Sequence, residues 1–441
     1  MLLHVRNRTL WVGFLAGSLC MLALQSTILQ PSYFGNDRFV QPFTPVDLPT
    51  TIATTSATNN QQSDCQGLEG TRVLLLDVHL EGNLGDELET LPLLQELRRC
   101  GVHTTAVLSG WLEGSEKQLG FRSVREHALV DSLQAPGNYE RFLPSEYHAV
   151  ILSPGPWKLC ELRRRWPNRI DIMMGGSIIL ESMVNTARGK KESCEEWDLS
   201  KRLEGFKPML IVPREAYSFD MLQQNVSSSV SSLKAEETAI YLSGDLSHSF
   251  VPAPASLEYW KRVYAWVDGM TLVFSRASNI ANVVAIKGRT VELTTMDHGT
   301  VVMPANKVVF ATSSALEDAT VFVDWEHQYY RVFLEQQFVV CETVEQLLGL
   351  VSRSEHVYTD RYHPGVVAHR FEKEFTLLNY PNDEQTKLVG LAKLVKDYSH
   401  VSSSSSSSHS LARTIKEEWN PRAFAKLRET LRTLRRSRTV Y

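Results

Sequence analysis

From Arg72 onward the chain alternates unbroken apolar runs with stretches of helical spacing, and few folds accept that pattern. "RVLLLDVHL", "HTTAVLS", "YHAVILSPG", "RIDIMMGGSIIL", "PMLIV" and "TAIYLSGD" read as strands. Between the first two, "DELETLPLLQELRRC" repeats Leu88, Leu91, Leu94 and Leu97 at helical intervals. A second series starts near Trp260, with strands in "TLVFSR", "KVVFAT", "FVVCE" and "HVYTD" and helices in "LEDATVFVDWEHQYYRVFLEQ", from Leu316, and "TVEQLLGLVSRS". Repeated βα units predict α/β architecture, with parallel sheets covered on both faces. Two domains, 71–235 and 236–400, then face a cleft. A hairpin-like insertion runs from Lys287 to Pro304, with Asp297-His298-Gly299 at its turn.

The N-terminus reads differently. No charge occurs between Arg8 and Asp37, and Leu10 to Leu29 is apolar enough to span a bilayer. Arg6 and Arg8 precede it, which predicts a cytosolic tail over 1–8, a signal anchor over 9–30 and a lumenal body, with a cleaved signal peptide as the competing reading; no clean small-x-small cleavage site follows, which favours the anchor. The short span suits an early-secretory membrane, so the expected location is the Golgi, as a single-pass type II protein. The segment 31–70, rich in Thr, Pro, Ser and Asn, reads as a flexible stem. Cys65, Cys100, Cys160, Cys194 and Cys341 would be lumenal, where disulfides persist, whereas Cys20 lies in the anchor. None stands at CxxC spacing, which argues against a zinc site. The serines of 401–410 read as a linker. Beyond them, 411–441 reads as a basic amphipathic helix, capped by Asn420 with Pro421 first and Phe424, Leu427, Leu431 and Leu434 on one docking face. It carries nine Lys/Arg against three Glu, leaving −10 for the remainder of a chain of net charge −4. That balance reads as a solvated helix on an acidic body and predicts no nucleic-acid partner.

Four places offer chemistry. "GNLGDE" (Gly82 to Glu87) follows the first strand, where open α/β sheets bind ligands. It fits neither the dinucleotide fingerprint nor a Walker loop. Asp86 and Glu87 would repel an anion, so the loop is either a turn in which Asp86 caps the helix or a ligand loop in which one acid handles a hydroxyl. Gly175-Gly176-Ser177 ends a strand, either as a turn or to admit a ligand. Arg214 ends another and can grip a carboxylate or phosphate, or pair with Glu215 at the surface; Ser218 lies in the helix that follows. "VYTDRYHPG" collects Asp360, Arg361, Tyr362 and His363 before a helix, giving an anion-binding group beside a proton-transfer group. Asp245 and His248 read either as residues of the cleft between the domains or, more simply, as loop residues, and Asn225 heads a glycosylation sequon.

"GNLGDE", "GGS", "VPREAYSFDML" and "TDRYHPGVVA", in that order, resemble the polysaccharide pyruvyl transferase family over about Val73 to Phe371. The resemblance implies a GT-B-like fold of two Rossmann-like domains. It implies transfer of pyruvate from phosphoenolpyruvate onto two hydroxyls of a galactose-like glycan sugar, closing a cyclic ketal, with no cofactor and no metal. On that reading His363 is the acid and Asp86 or Glu87 the base. Arg214, Arg361, Ser218, Gly175, Gly176, Ser177 and Tyr362 bind the donor, while Asn83 and Gly85 shape the acceptor side. Two alternatives stand beside it: a nucleotide-sugar glycosyltransferase of the same fold, and a non-catalytic, lectin-like relative.

Overall fold

Each buried apolar run becomes a strand with a parallel partner. In the first sheet β1 (Arg72–Val78) pairs with β2 (His103–Leu108) on one side and β4 (Ala149–Leu152) on the other. The sheet continues through β3 (Ser132–Gln134) at one edge and through β6 (Ile172–Ile178), β7 (Leu210–Pro213) and β8 (Ala239–Ile240) at the other. A short β5 (Gly155–Trp157) also joins β6. The order β3-β2-β1-β4-β6-β7-β8 reverses direction between β1 and β4. The crevice outside the strand C-termini at such a reversal is where ligands bind in open α/β sheets.

This computed structural model describes residues 64–78, 83–108, 129–134, 144–157, 169–178, 208–228, 238–276, 279–297, 299–313, 337–379, 388, 390–391 and 411–438. All belong to one body, Ala57–Tyr441. The expected anchor, the serine linker, Gly82, His298, Cys20, Cys160, Cys194 and the helix read from Leu316 lie outside them. Among the described residues no helix is long and apolar enough to cross a membrane.

The second sheet is also wholly parallel, in the order β14 (Gln337–Val340), β13 (Val308–Thr312), β9 (Thr271–Phe274), β15 (His356–Thr359), β16 (Glu374–Leu377). Its reversal falls between β9 and β15. The expected hairpin insertion is a three-stranded antiparallel sheet that starts earlier than Lys287: β10 (Val284–Lys287), β11 (Thr290–Thr294) and β12 (Thr300–Pro304).

The helices that matter here are α1 (Leu84–Arg99), α2 (Ala216–Ser228), α3 (Pro254–Val263), α4 (Val344–Arg353), α5 (Tyr362–Arg370) and α6 (Asn420–Ser437). Asn225 lies within α2, towards its C-terminal end. One apolar core cluster takes residues from both sheets, among them Val73, Leu75, Leu272 and Phe274. Helix α1 bridges them: Leu84, Leu88, Leu91, Leu94 and Leu97 belong to that cluster, and α1 packs against both α4 and α5. The two halves therefore share a core beside the crevice.

Three expectations change. The stem was read as running to residue 70, but Leu68 is fully buried and Cys65 is disulfide-bonded to Cys100 at the end of α1. Cys341 is buried and free. Asn420 does not cap a helix, because a short helix Leu411–Thr414 and a π-helical turn Ile415–Trp419 run straight into α6. Its amide donates instead to Asp245 O (3.1 Å) and Ser249 Oγ (2.9 Å). The apolar face of α6 docks as expected, with Leu427, Leu431 and Leu434 buried. Part of its basic face, however, is engaged rather than solvated. Arg428 pairs with Glu96, Arg435 donates to Gly67 O (2.8 Å), and Arg438 grips Asp171 through two 2.8 Å bonds.

The disulfide closes a loop with a sequence separation of 35 residues. Loop-closure entropy for that length predicts that Cys65→Ser lowers stability by about 3–4 kcal/mol. Urea melts of the variant and of reduced wild type check this; unchanged midpoints would show the turn is held by packing alone.

Candidate active site

The start of α1 and the residues that follow β7, β8 and β15 meet between the two sheets. After β1 the chain turns at Asn83, whose side chain accepts from Gly85 N (3.2 Å) and so caps α1. The expected cap, Asp86, is thereby left for another use. Asn83 Nδ2 donates to Asp86 Oδ2 (3.0 Å), and Asp86 Oδ1 lies 3.5 Å from His363 Nδ1. Gly85 explains the glycine in this loop: a Cβ there would lie 2.2 Å from the His363 ring. The group that approaches the backbone is an imidazole of the same chain.

One turn on from Asp86, Glu89 lies on the same helix face. Its Oε2 is 3.2 Å from His363 Nε2 and also receives Arg214 Nη1. Sequence reasoning missed Glu89, although its spacing of three from Asp86 was a readable signal. Glu87 was offered as an equal of Asp86, but it lies about 100° around the helix from Asp86. Glu87 is buried, and the carboxyl groups paired with His363 are those of Asp86 and Glu89.

Arg214 follows β7 directly and is 1% exposed. Its Nε donates to Ser177 Oγ (2.7 Å), its Nη1 lies 3.4 Å from His363 Nε2, and its guanidinium carbon sits 4.2 Å from the centroid of the Tyr362 ring. The surface pair with Glu215 is not formed. Glu215 is buried and accepts from Ser218 N (3.1 Å) and Ser218 Oγ at the start of α2. Ser218 Oγ in turn accepts from Ile178 N (2.8 Å). Gly175, Gly176 and Ser177 do not end a strand; they lie inside β6, at a register shift against β7. Gly175 has φ +74°, and a Cβ on Gly176 would meet Trp157 at 2.2 Å, so these glycines serve strand geometry and packing. Arg361 is buried at the cap position of α5, one residue before Tyr362. Asp360 is taken up by Ser275 Oγ (2.7 Å), Arg276 N (2.9 Å) and Asn279 Nδ2 (2.7 Å), which fixes the end of β15 to the segment after β9.

Asp245, read from sequence as a loop residue, enters the same centre: its Oδ2 lies 3.8 Å from Arg214 Nη1. Burial pushes the Glu89 carboxyl up despite Arg214 beside it. Burial pushes Asp245 up as well, but His363 and Arg214 more than offset this, and its pKa is lowered. One carboxyl is therefore biased towards the neutral form and its neighbour towards the charged form, which is the division of labour acid–base chemistry needs. Glu89 Oε1 and Asp245 Oδ2 are buried with no hydrogen-bond partner among the described residues. An unmet buried acceptor costs about 1–3 kcal/mol. Asp86, Glu89 and His363 also place metal-capable atoms within 4.8 Å of one another, a cluster not visible in the sequence. The Arg214 guanidinium already supplies the cation there, so this donor set does not fit a metal.

A histidine pair also joins the halves. His248 Nε2 lies 3.0 Å from His369 Nδ1, and Arg370 donates to Ser247 O and to Phe250 O (2.7 Å).

No family model matches the chain, and no curated protein matches it. Solved structures do. A UDP-N-acetylglucosamine 2-epimerase from Rickettsia bellii is 8% identical with a TM-score of 0.43, covering 82% of this chain and 96% of its own. A Medicago truncatula UGT protein complexed with UDP-glucose is 11% identical with a TM-score of 0.41, covering 82% and 98%. An uncharacterized protein from Klebsiella pneumoniae is 11% identical with a TM-score of 0.36, covering 76% and 94%. At these values the likenesses assign no substrate to the chain.

Two predictions follow from the geometry. Gly85→Ala forces the His363 ring off Asp86 and Glu89 and costs about 1–3 kcal/mol of stability; wild-type urea melts would refute the close approach. Burial holds His248 down to about 4 and His369 to about 3, against 6.5 for free imidazole. The unfolded chain therefore takes up protons first as pH falls. Stability from this pair is complete above about pH 6.5 and is lost as pH falls towards 4. Urea melts between pH 4 and 7 should show the decline, and His369→Phe should flatten it.

Proposed function

We propose that the chain is a transferase that moves a group from an activated donor onto a hydroxyl of a sugar, with His363 as the proton-transfer group. The observation that carries this reading is His363 held between Asp86 (3.5 Å) and Glu89 (3.2 Å), beside Arg214 (3.4 Å). Asp86 orients Nδ1, as a carboxylate does for a catalytic imidazole. Nε2 takes the hydroxyl proton as the sugar oxygen attacks the donor carbon. With a nucleotide sugar, the nucleotide departs with the bonding electron pair; with phosphoenolpyruvate, the methylene carbon gains a proton as the first hydroxyl adds to C2, and a second hydroxyl, losing its own proton, then displaces phosphate with the C–O bonding pair and closes the ketal. Arg214 balances the negative charge of this centre.

Two donors are supported by different observations. The segments that carry the pyruvyl transferase resemblance bring Asp86, Arg214 and His363 to one point from three distant parts of the chain, which favours phosphoenolpyruvate. The charge balance favours a nucleotide sugar, because Arg214 is matched by Glu89 with Asp245 close by, and is poorly free to hold a small polyanion. A GT-B-like arrangement, with the site between two wholly parallel sheets, suits either donor. The Cys65–Cys100 disulfide suits the oxidising lumen that a Golgi anchor implies.

The test uses the full chain with methyl β-galactoside and either phosphoenolpyruvate or UDP-hexoses. Phosphate release with an acid-labile ketal identifies pyruvyl transfer; UDP release identifies glycosyl transfer. His363→Ala should lower the rate by about 10²–10⁴, and Arg361→Ala should abolish donor use. Absence of turnover with every donor and sugar would sink the transferase reading in favour of a lectin-like one.

A further inference from the structure

Glu89 and Asp245 each make hydrogen bonds through one carboxyl oxygen only. Glu89 Oε2 receives Arg214 Nη1 and lies 3.2 Å from His363 Nε2; Asp245 Oδ1 accepts from Ser247 N (2.8 Å). Glu89 Oε1 and Asp245 Oδ2 have no hydrogen-bond partner among the described residues, although both side chains are at most 2% exposed. Both carboxyl groups flank the same guanidinium, Arg214, in contact with Glu89 and 3.8 Å from Asp245 Oδ2.

The kind of ligand that satisfies these two oxygens is narrow. An anion would meet two carboxyl groups. A cation would meet Arg214. An apolar group would leave both oxygens unmet. A hydroxyl can donate to one oxygen and accept from its neighbour, so it matches an ionised Asp245 and a Glu89 biased towards its neutral form.

We propose that Glu89 Oε1 and Asp245 Oδ2 are the acceptor subsite, binding two hydroxyls of a neutral polyol. The identity of that polyol as the acceptor sugar rests on the transferase reading; its binding does not. The donor's anionic portion then belongs elsewhere in the crevice, away from Arg214. Asp245 is positioned by the C-terminal segment, because Asn420 donates to its carbonyl (3.1 Å).

The experiment measures binding and turnover separately on the full chain. Saturation-transfer NMR with methyl β-galactoside, methyl α-glucoside and methyl α-mannoside reads binding without a donor. Asp245→Asn keeps an oxygen for Ser247 N, and Glu89→Gln keeps the shape of the side chain; thermal melts confirm that each variant folds. The expected result is that at least one glycoside binds wild type and that each variant weakens it about tenfold, the equivalent of one buried hydrogen bond. In turnover, acceptor KM rises by the same factor while donor KM is unchanged, a split that a merely structural role would not produce. Glycoside binding that is lost in the variants, without transfer from any donor, would overturn the transferase reading and keep this subsite. Normal acceptor KM in both folded variants, loss of donor binding instead, or no glycoside bound by wild type would overturn the subsite.

Discussion

Everything near the crevice is arranged around one buried guanidinium. Arg214 is drawn out of water at the end of β7, and a lone charge there would be very costly. Glu89 from α1 receives its Nη1, the charged Asp245 stands close by, Ser177 from β6 satisfies its Nε, and Tyr362 from α5 covers it with an aromatic face. Removing one partner from such a pair typically destabilises by about 3–5 kcal/mol, because the survivor is left charged and buried. The pair thus fixes the first sheet, α1 and α5 relative to one another. His363 inherits its position from that arrangement, pressed against Gly85 and bracketed by two carboxyl groups.

The central strands were legible because a strand buried on both faces must be apolar throughout. β1, β4, β6, β7, β9, β13 and β15 all lie where unbroken apolar runs predicted them. β3, β5 and β16 were not, since three-residue strands and a partly exposed "EFTL" carry too little pattern to stand out. The site was legible in its nucleus: Asp86, Arg214 and His363 converge. Glu89 was hidden among neighbouring acids on α1, and only the helical spacing separates it from Glu87. Asp245 was hidden because its role depends on a partner 31 residues away in sequence, Arg214, which no local pattern reports. The glycines of "GGS" were misread for a related reason. A strand-end turn and a strand bulge look alike until the partner strand fixes the register.

The basic C-terminal helix shows how charge counts mislead when geometry is unknown. Its net charge read as solvation, yet Arg428 and Arg438 complete acidic positions of the first sheet and α1, while Arg435 meets a loop carbonyl. These pairs are largely buried, so their attraction is offset by the cost of drawing both charges out of water. Here they flank a buried apolar stripe that supplies most of the stabilisation, and they set the direction in which the helix lies across the sheet.

That helix also bears on how the chain is made. The first sheet begins at Arg72, but part of its apolar cover, Leu427, Leu431 and Leu434, comes far later in the chain. The first sheet must wait, with that apolar surface open, until α6 has been made. Such long-range closure slows folding and exposes aggregation-prone surface meanwhile. The early Cys65–Cys100 link, formed entirely within the first stretch, can hold α1 in place during that interval.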